Sequence, residues 1–113
     1  FWDILYYFLR DEAKRLLPYR VAQLAKHYGF TFSQVKIQSS KTRWGSCNQL
    51  KTINLSLYLL MLPQHLIDYV ILHELCHTLE MNHSPRFWEL MEKVTNGASN
   101  DLDKELKDYA IPQ

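Results

Sequence analysis

Three of the chain's five histidines fall within residues 73–83, at a spacing suited to a metal site. His73-Glu74-Leu75-Cys76-His77 matches the pattern H-E-x-x-H. Residues four apart on a helix share a face, so two imidazoles can reach one ion. Glu74, about 100° round the helix from His73, can then hold a water on that ion without ligating it. A catalytic zinc takes three protein ligands and keeps one position open. His83 is the favoured third ligand, because it would arrive from a separate segment and so close a tetrahedral site. Glu80, nearly in line with His73 and His77, competes as a ligand or as a hydrogen-bond partner of one of them. Zinc held in this way would polarise a substrate carbonyl and bring the pKa of water towards 7. Glu74 would take the water's proton and pass it to the leaving amine. The oxyanion that forms needs donors, and Arg43, His65, Tyr69 and Arg86 are the candidates.

The element carrying this pattern should be a central buried helix. Leu66, Ile67, Val70, Ile71, Leu72, Leu75 and Leu79 cover nearly all its sides. Two histidines and a glutamate in such a helix are costly unless paired or metal-bound, which favours a metal site over satisfied core histidines. Pro63 suits the first helical position, and Asn82 a left-handed stop after about Met81. Ser84-Pro85 then reads as the N-cap and first residue of a helix through Phe87, Trp88, Leu90, Met91 and Val94, closed by Gly97. Phe87 and Trp88 read as core. A last helix is expected near residues 100–109.

Upstream, residues 3–16 suit a helix ending before Pro18. A second helix follows, with Val21, Leu24, Ala25 and Tyr28 on one face and Gly29 as its stop. Gln34-Val35-Lys36-Ile37-Gln38 alternates as a half-buried strand does. Two more short strands are predicted around Thr42–Cys47 and Lys51–Ser56, with a turn near Asn48-Gln49. Helices, a small antiparallel sheet and helices again make an α+β fold, with residues 1–113 as a single domain. Trp44-Gly45-Ser46 is either a cleft-lining strand that pairs with an extended peptide or a hairpin with a packed Trp. Thr52-Ile53-Asn54-Leu55 is the competing substrate-pairing edge.

With 113 residues, 47% hydrophobic and 22% charged, the chain is long enough for a core and too apolar for disorder. Its nine-residue apolar opening, Phe1 to Leu9, is too short to span a bilayer and lacks the marks of a signal peptide. Two cysteines are too few for a disulfide framework, so a reducing, cytoplasmic setting is expected. Cys76 reads as a small buried hydrophobe and Cys47 as a strand-end packing residue. The net charge of +1 hides an asymmetry. Residues 1–60 carry nine Lys/Arg against three Asp/Glu, and residues 61–113 carry four against nine. Lys14, Arg15, Arg20, Lys26, Lys36, Lys41, Arg43 and Lys51 form no run longer than two, so solvated faces are favoured over a nucleic-acid patch.

Three stretches together resemble the YgjP-like metallopeptidase family, relatives of the SprT-like zinc proteases. They are Thr42-Arg43-Trp44-Gly45-Ser46-Cys47, Ile53-Asn54-Leu55 with Leu59, and His73 to His77 running on to Asn82-His83-Ser84 and Phe87-Trp88. The resemblance implies a zincin-like α+β fold, zinc on His73, His77 and His83, Glu74 as base, and an edge strand beside the cleft. It also implies that the chain is the C-terminal catalytic part of a longer protein or a shortened member, since full-length relatives carry a strand-rich N-terminal region. A zinc metallopeptidase acting on a protein or peptide is therefore expected. The alternatives are a metal-dependent hydrolase of a phosphoanhydride or nucleotide, and a non-catalytic zinc-stabilised binding module. Arg43, Lys41 and Arg86 near the ion would favour the phosphoanhydride reading.

Overall fold

In the computed structural model, residues 2–109 are described. Phe1 and residues 110–113, which the single-domain expectation included, lie outside them. The first element is one helix, α1 (Trp2–Tyr28), not two, with Pro18 inside it. Pro removes a backbone hydrogen bond and crowds the preceding turn, at about 3 kcal/mol. Against that cost stands an unbroken buried stripe: Leu9, Ala13, Leu17, Val21, Leu24 and Ala25. A fully buried Leu or Val contributes about 1.5–3 kcal/mol, so Leu17 and Val21, one on each side of Pro18, outweigh the break. Gly29 ends the helix at φ +80°, as expected, and the Phe30 amide donates back to the Ala25 carbonyl.

Three strands follow: β1 (Gln34–Gln38), β2 (Gly45–Cys47) and β3 (Thr52–Ser56). The sheet is mixed, not wholly antiparallel. Its order is β1-β3-β2, with β3 parallel to β1 and antiparallel to β2. β3 takes the middle because it is apolar enough to be covered: Ile53 and Leu55 are fully buried, and Thr52 and Ser56 nearly so. The turn between β2 and β3 is built by Asn48, whose side-chain oxygen accepts from the Leu50 and Thr52 amides, with Lys51 at φ 63°. A 3-10 turn, Leu57–Met61, is capped by the Ser56 hydroxyl and leads into the next helix.

α2 (Gln64–His77) is the central helix, with Pro63 as its N-cap. Ten of its fourteen residues are buried, as its all-round apolar pattern requires. It ends at His77, four residues before the expected stop. Thr78 turns its hydroxyl back to the Leu75 carbonyl, and the Leu79 and Glu80 amides both reach the Cys76 carbonyl. Leu79, the last residue of the apolar pattern, and Met81, the expected end, are exposed, and Asn82 is not left-handed. α3 (Pro85–Val94) starts as predicted, with the Ser84 hydroxyl accepting from the Phe87 amide. Asn96 and Gly97 then turn the chain through positive φ into α4 (Ser99–Lys107). Arg20 of α1 grips Asp68 of α2 with two hydrogen bonds of 2.8 and 2.7 Å, fixing the long helix across the central one. No helix among the described residues is long and apolar enough to cross a membrane.

Candidate metal centre

α2 ends just where its last turn presents His73 and His77, and the short 78–84 loop brings His83 back over them. Ring nitrogens of the three histidines lie within 4.8 Å of one another, close enough for one ion to contact all three. The ring centroids are 4.9 Å apart for His73 and His77, 4.7 Å for His77 and His83, and 5.3 Å for His73 and His83. His77 is buried, His73 half-buried and His83 exposed, so the cluster runs from core to solvent. The donor set, three imidazoles with solvent on one side, suits a metal ion that keeps an open position.

Second partners orient the rings. Nδ1 of His77 donates to the Glu80 carbonyl at 2.9 Å, and Nδ1 of His73 lies 3.3 Å from the Glu74 carboxylate. Both contacts leave Nε2 available to an ion. Glu80 therefore reaches His77 through its backbone, while its side chain lines a surface groove with Leu79 and Arg86. Burial pushes the His77 pKa below its ordinary value of 6.5, which keeps the ring neutral and its lone pair free.

Sequence reading missed the floor of the site. Phe87, fully buried, stacks on His77 at 4.4 Å and meets His73 and His83 edge-on at 5.0 Å each. Trp88 stacks on His83 at 5.9 Å. Both were read as core, and Phe87 is core. The signal that could have shown more was their place just after the Ser84-Pro85 helix start, which aims the first turn of α3 at the loop carrying His83.

Glu74 is 6% exposed and lines two cavities that meet at His73. One, about 230 Å³, is shared with His77, His83, Arg43 and residues of β2. β2 lies at the sheet edge beside α2, and Gly45 packs close against Glu74. A Cβ at Gly45 would stand 3.1 Å from the Asn54 carbonyl oxygen and 3.3 Å from Cγ of Glu74. Thr52 to Leu55, the competing edge, belongs instead to the central strand, paired on both sides. Among the oxyanion candidates, Arg43 and Tyr69 line the cleft. His65 pairs with Glu105 at 2.6 Å in an exposed contact, and Arg86 lines the groove beyond α3. Burial holds the Cys47 thiol up at about 11 and the Cys76 thiol at about 12, so neither is a thiolate at neutral pH.

A family model described as "YgjP-like, metallopeptidase domain" matches residues 2–109. A comparison with curated proteins finds no match. Among solved structures, the fold is similar to the metallopeptidase zymogen of Pyrococcus abyssi abylysin, with TM-score 0.67 and 24% identity over 79% of this chain and 90% of that one. It is also similar to the metallopeptidase zymogen of Methanocaldococcus jannaschii jannalysin, with TM-score 0.65 and 22% identity over 79% of this chain and 91% of that one.

Proposed function

Since the chain belongs to the YgjP-like metallopeptidase family, and so to a group of metal-dependent peptidases, we propose that it is a zinc endopeptidase in which His73, His77 and His83 hold the ion and Glu74 is the general base. The observation that carries this reading is the gathering of three imidazole nitrogens within 4.8 Å beside a buried carboxylate in one cleft. Zinc bound there would polarise the scissile carbonyl and make water a nucleophile at neutral pH. Glu74 accepts a proton from the attacking water and delivers it to the leaving amine. Its burial and the absence of a side chain at Gly45 fix where that carboxylate stands. β2 supports the substrate, an extended peptide lying along its open edge through backbone hydrogen bonds. Arg43, at the cleft wall, is the remaining candidate for an oxyanion donor, because the Tyr69 hydroxyl donates its proton to Asp103. Of the three cations that a phosphoanhydride hydrolase would want near the ion, only Arg43 lines the cleft, which favours the peptidase. The two free cysteines fit a reducing, cytoplasmic setting.

Metal analysis of purified protein, paired with hydrolysis of casein or a peptide library, tests this. About one zinc per chain is expected, and Glu74→Gln should lower the rate by about 10²–10⁴-fold with metal content unchanged. Full activity in Glu74→Gln would remove Glu74 from the mechanism. His83→Ala should lower zinc affinity, and unchanged affinity would hand the third-ligand role to another group.

A further inference from the structure

The second cavity bordering Glu74 has a composition of its own. It lies between α2, α4 and Trp44, opens onto His73 and Glu74, and measures about 160 Å³. A cavity of roughly 150 Å³ admits a benzene, so one substrate side chain fits here. Trp44, Val70 and Leu106 supply apolar walls, while Asp103 is the carboxylate that lines the cavity besides Glu74. No Lys or Arg lines this cavity, whereas the neighbouring one contains Arg43.

Asp103 is held in place but has capacity to spare. One carboxylate oxygen accepts from the Tyr69 hydroxyl at 3.3 Å. Tyr69 is 1% exposed, and burial pushes its pKa upward, so it stays a donor. The other oxygen is 3.1 Å from Nζ of Lys107, whose side chain is 76% exposed. Such a surface pair contributes little and yields readily to a better-placed cation. A carboxylate with one donor on each oxygen still has free lone pairs.

Resting on the peptidase reading, we propose that this cavity is a specificity pocket for a basic substrate side chain. The aliphatic stem of a Lys or Arg lies along Trp44, Val70 and Leu106, and its charge meets Asp103. An apolar side chain of the same length would fill the walls but desolvate Asp103 without giving it a partner, and that difference provides the selectivity. Arg43 lines the neighbouring cavity and disfavours a cation there, so the two cavities differ in the substrate charge they accept.

The test uses the zinc-loaded protein and peptides that differ at one position beside the scissile bond, carrying Lys, Arg, norleucine, Leu or Glu. Lys and Arg peptides should show a kcat/KM about tenfold above norleucine, the size expected of one charge-assisted contact. Asp103→Asn retains an oxygen for Tyr69 and should bring that ratio to within about twofold, with zinc content and circular dichroism unchanged. Lys107→Ala should enlarge the preference by freeing Asp103. A preference for Leu or norleucine, or a basic preference that survives Asp103→Asn, would overturn the proposal. A binding arm separates this idea from the hydrolytic one: zinc-loaded Glu74→Gln is titrated with the Lys and norleucine peptides and followed by tryptophan fluorescence. Asp103-dependent preference for Lys in binding, with no cleavage by the wild-type protein, would keep the pocket and sink the hydrolysis. Equal binding of the two peptides would sink the pocket whatever is cleaved.

Discussion

The gathering of His73, His77 and His83 was legible because it is carried by a spacing, and helical geometry turns the first two into a shared face. The residues that hold them were less legible. Gly45 reads in the sequence only as part of a cleft-lining strand or a hairpin, yet it is fitted against both β3 and Glu74. A methyl group there would press on the Asn54 carbonyl at 3.1 Å, Cδ2 of Leu55 at 3.1 Å and Cγ of Glu74 at 3.3 Å. The carbonyl belongs to the sheet ladder and cannot turn aside, so the side chains of Leu55 and Glu74 must give way. Gly45→Ala should therefore lower hydrolysis while zinc stays bound, at an overpacking cost of about 1–3 kcal/mol in urea denaturation. Loss of zinc in step with activity would instead indicate a collapsed site. Phe87 makes the same point from below. Phe87→Leu keeps an apolar core residue but removes the ring that stacks on His77 and meets His73 and His83 edge-on, and zinc affinity should fall by about tenfold in a chelator competition. Unchanged affinity would return Phe87 to a purely packing role.

Elements were read well where periodicity alone decides them, and badly where a partner in space decides. β1 was found to the residue, but alternation says only that a strand has two faces. It cannot say that the strand will lie parallel to β3 with β2 on the far side. Nor could it place Asp103 of α4 in a cavity with Trp44, 59 residues away in the chain, which rests on α4 docking against α2. The two helix boundaries failed for opposite reasons. α2 stops before its apolar pattern does, because Thr78 and the Cys76 carbonyl close the last turn. α1 continues where a proline should stop it, because its buried stripe runs in register through Pro18. Pro18 is accordingly a tolerated defect, and Pro18→Ala should stabilise the protein. The gain should be under about 3 kcal/mol, the helix-interior cost of Pro, less about 0.4–1 kcal/mol because Ala frees the unfolded chain. A shift of the urea midpoint to higher concentration, with activity unchanged, is the expected result. A shift to lower concentration would mean that the ring itself is packed usefully.

At the scale of the whole molecule, the charge asymmetry of the sequence becomes a seam. No Asp or Glu occurs between Glu12 and Asp68, the stretch that builds most of α1 and the sheet, while the acids gather on α2, α3 and α4. The cleft lies along the join, Arg43 coming from the sheet side and Glu74 and Asp103 from the helices. Acid should weaken this centre through its histidines. Burial depresses the His77 pKa below 6.5, so between that lowered value and 6.5 the unfolded chain binds more protons than the folded one. The stability that this ring contributes is fully present above pH 6.5 and is lost as the pH falls beneath it. Zinc held as proposed would add a second dependence of the same sign, because protons compete with the metal for each imidazole. Bound metal raises stability by RT ln(1 + [L]/Kd), about 2.7 kcal/mol at a hundredfold excess over Kd. That increment should shrink steadily between about pH 7.5 and pH 5 as Kd rises. Thermal unfolding with and without zinc across this range would show two melting temperatures that converge towards acid. If the gap instead stayed constant down to pH 5, the ion would be held by carboxylates, and the three histidines would lose their assignment as ligands.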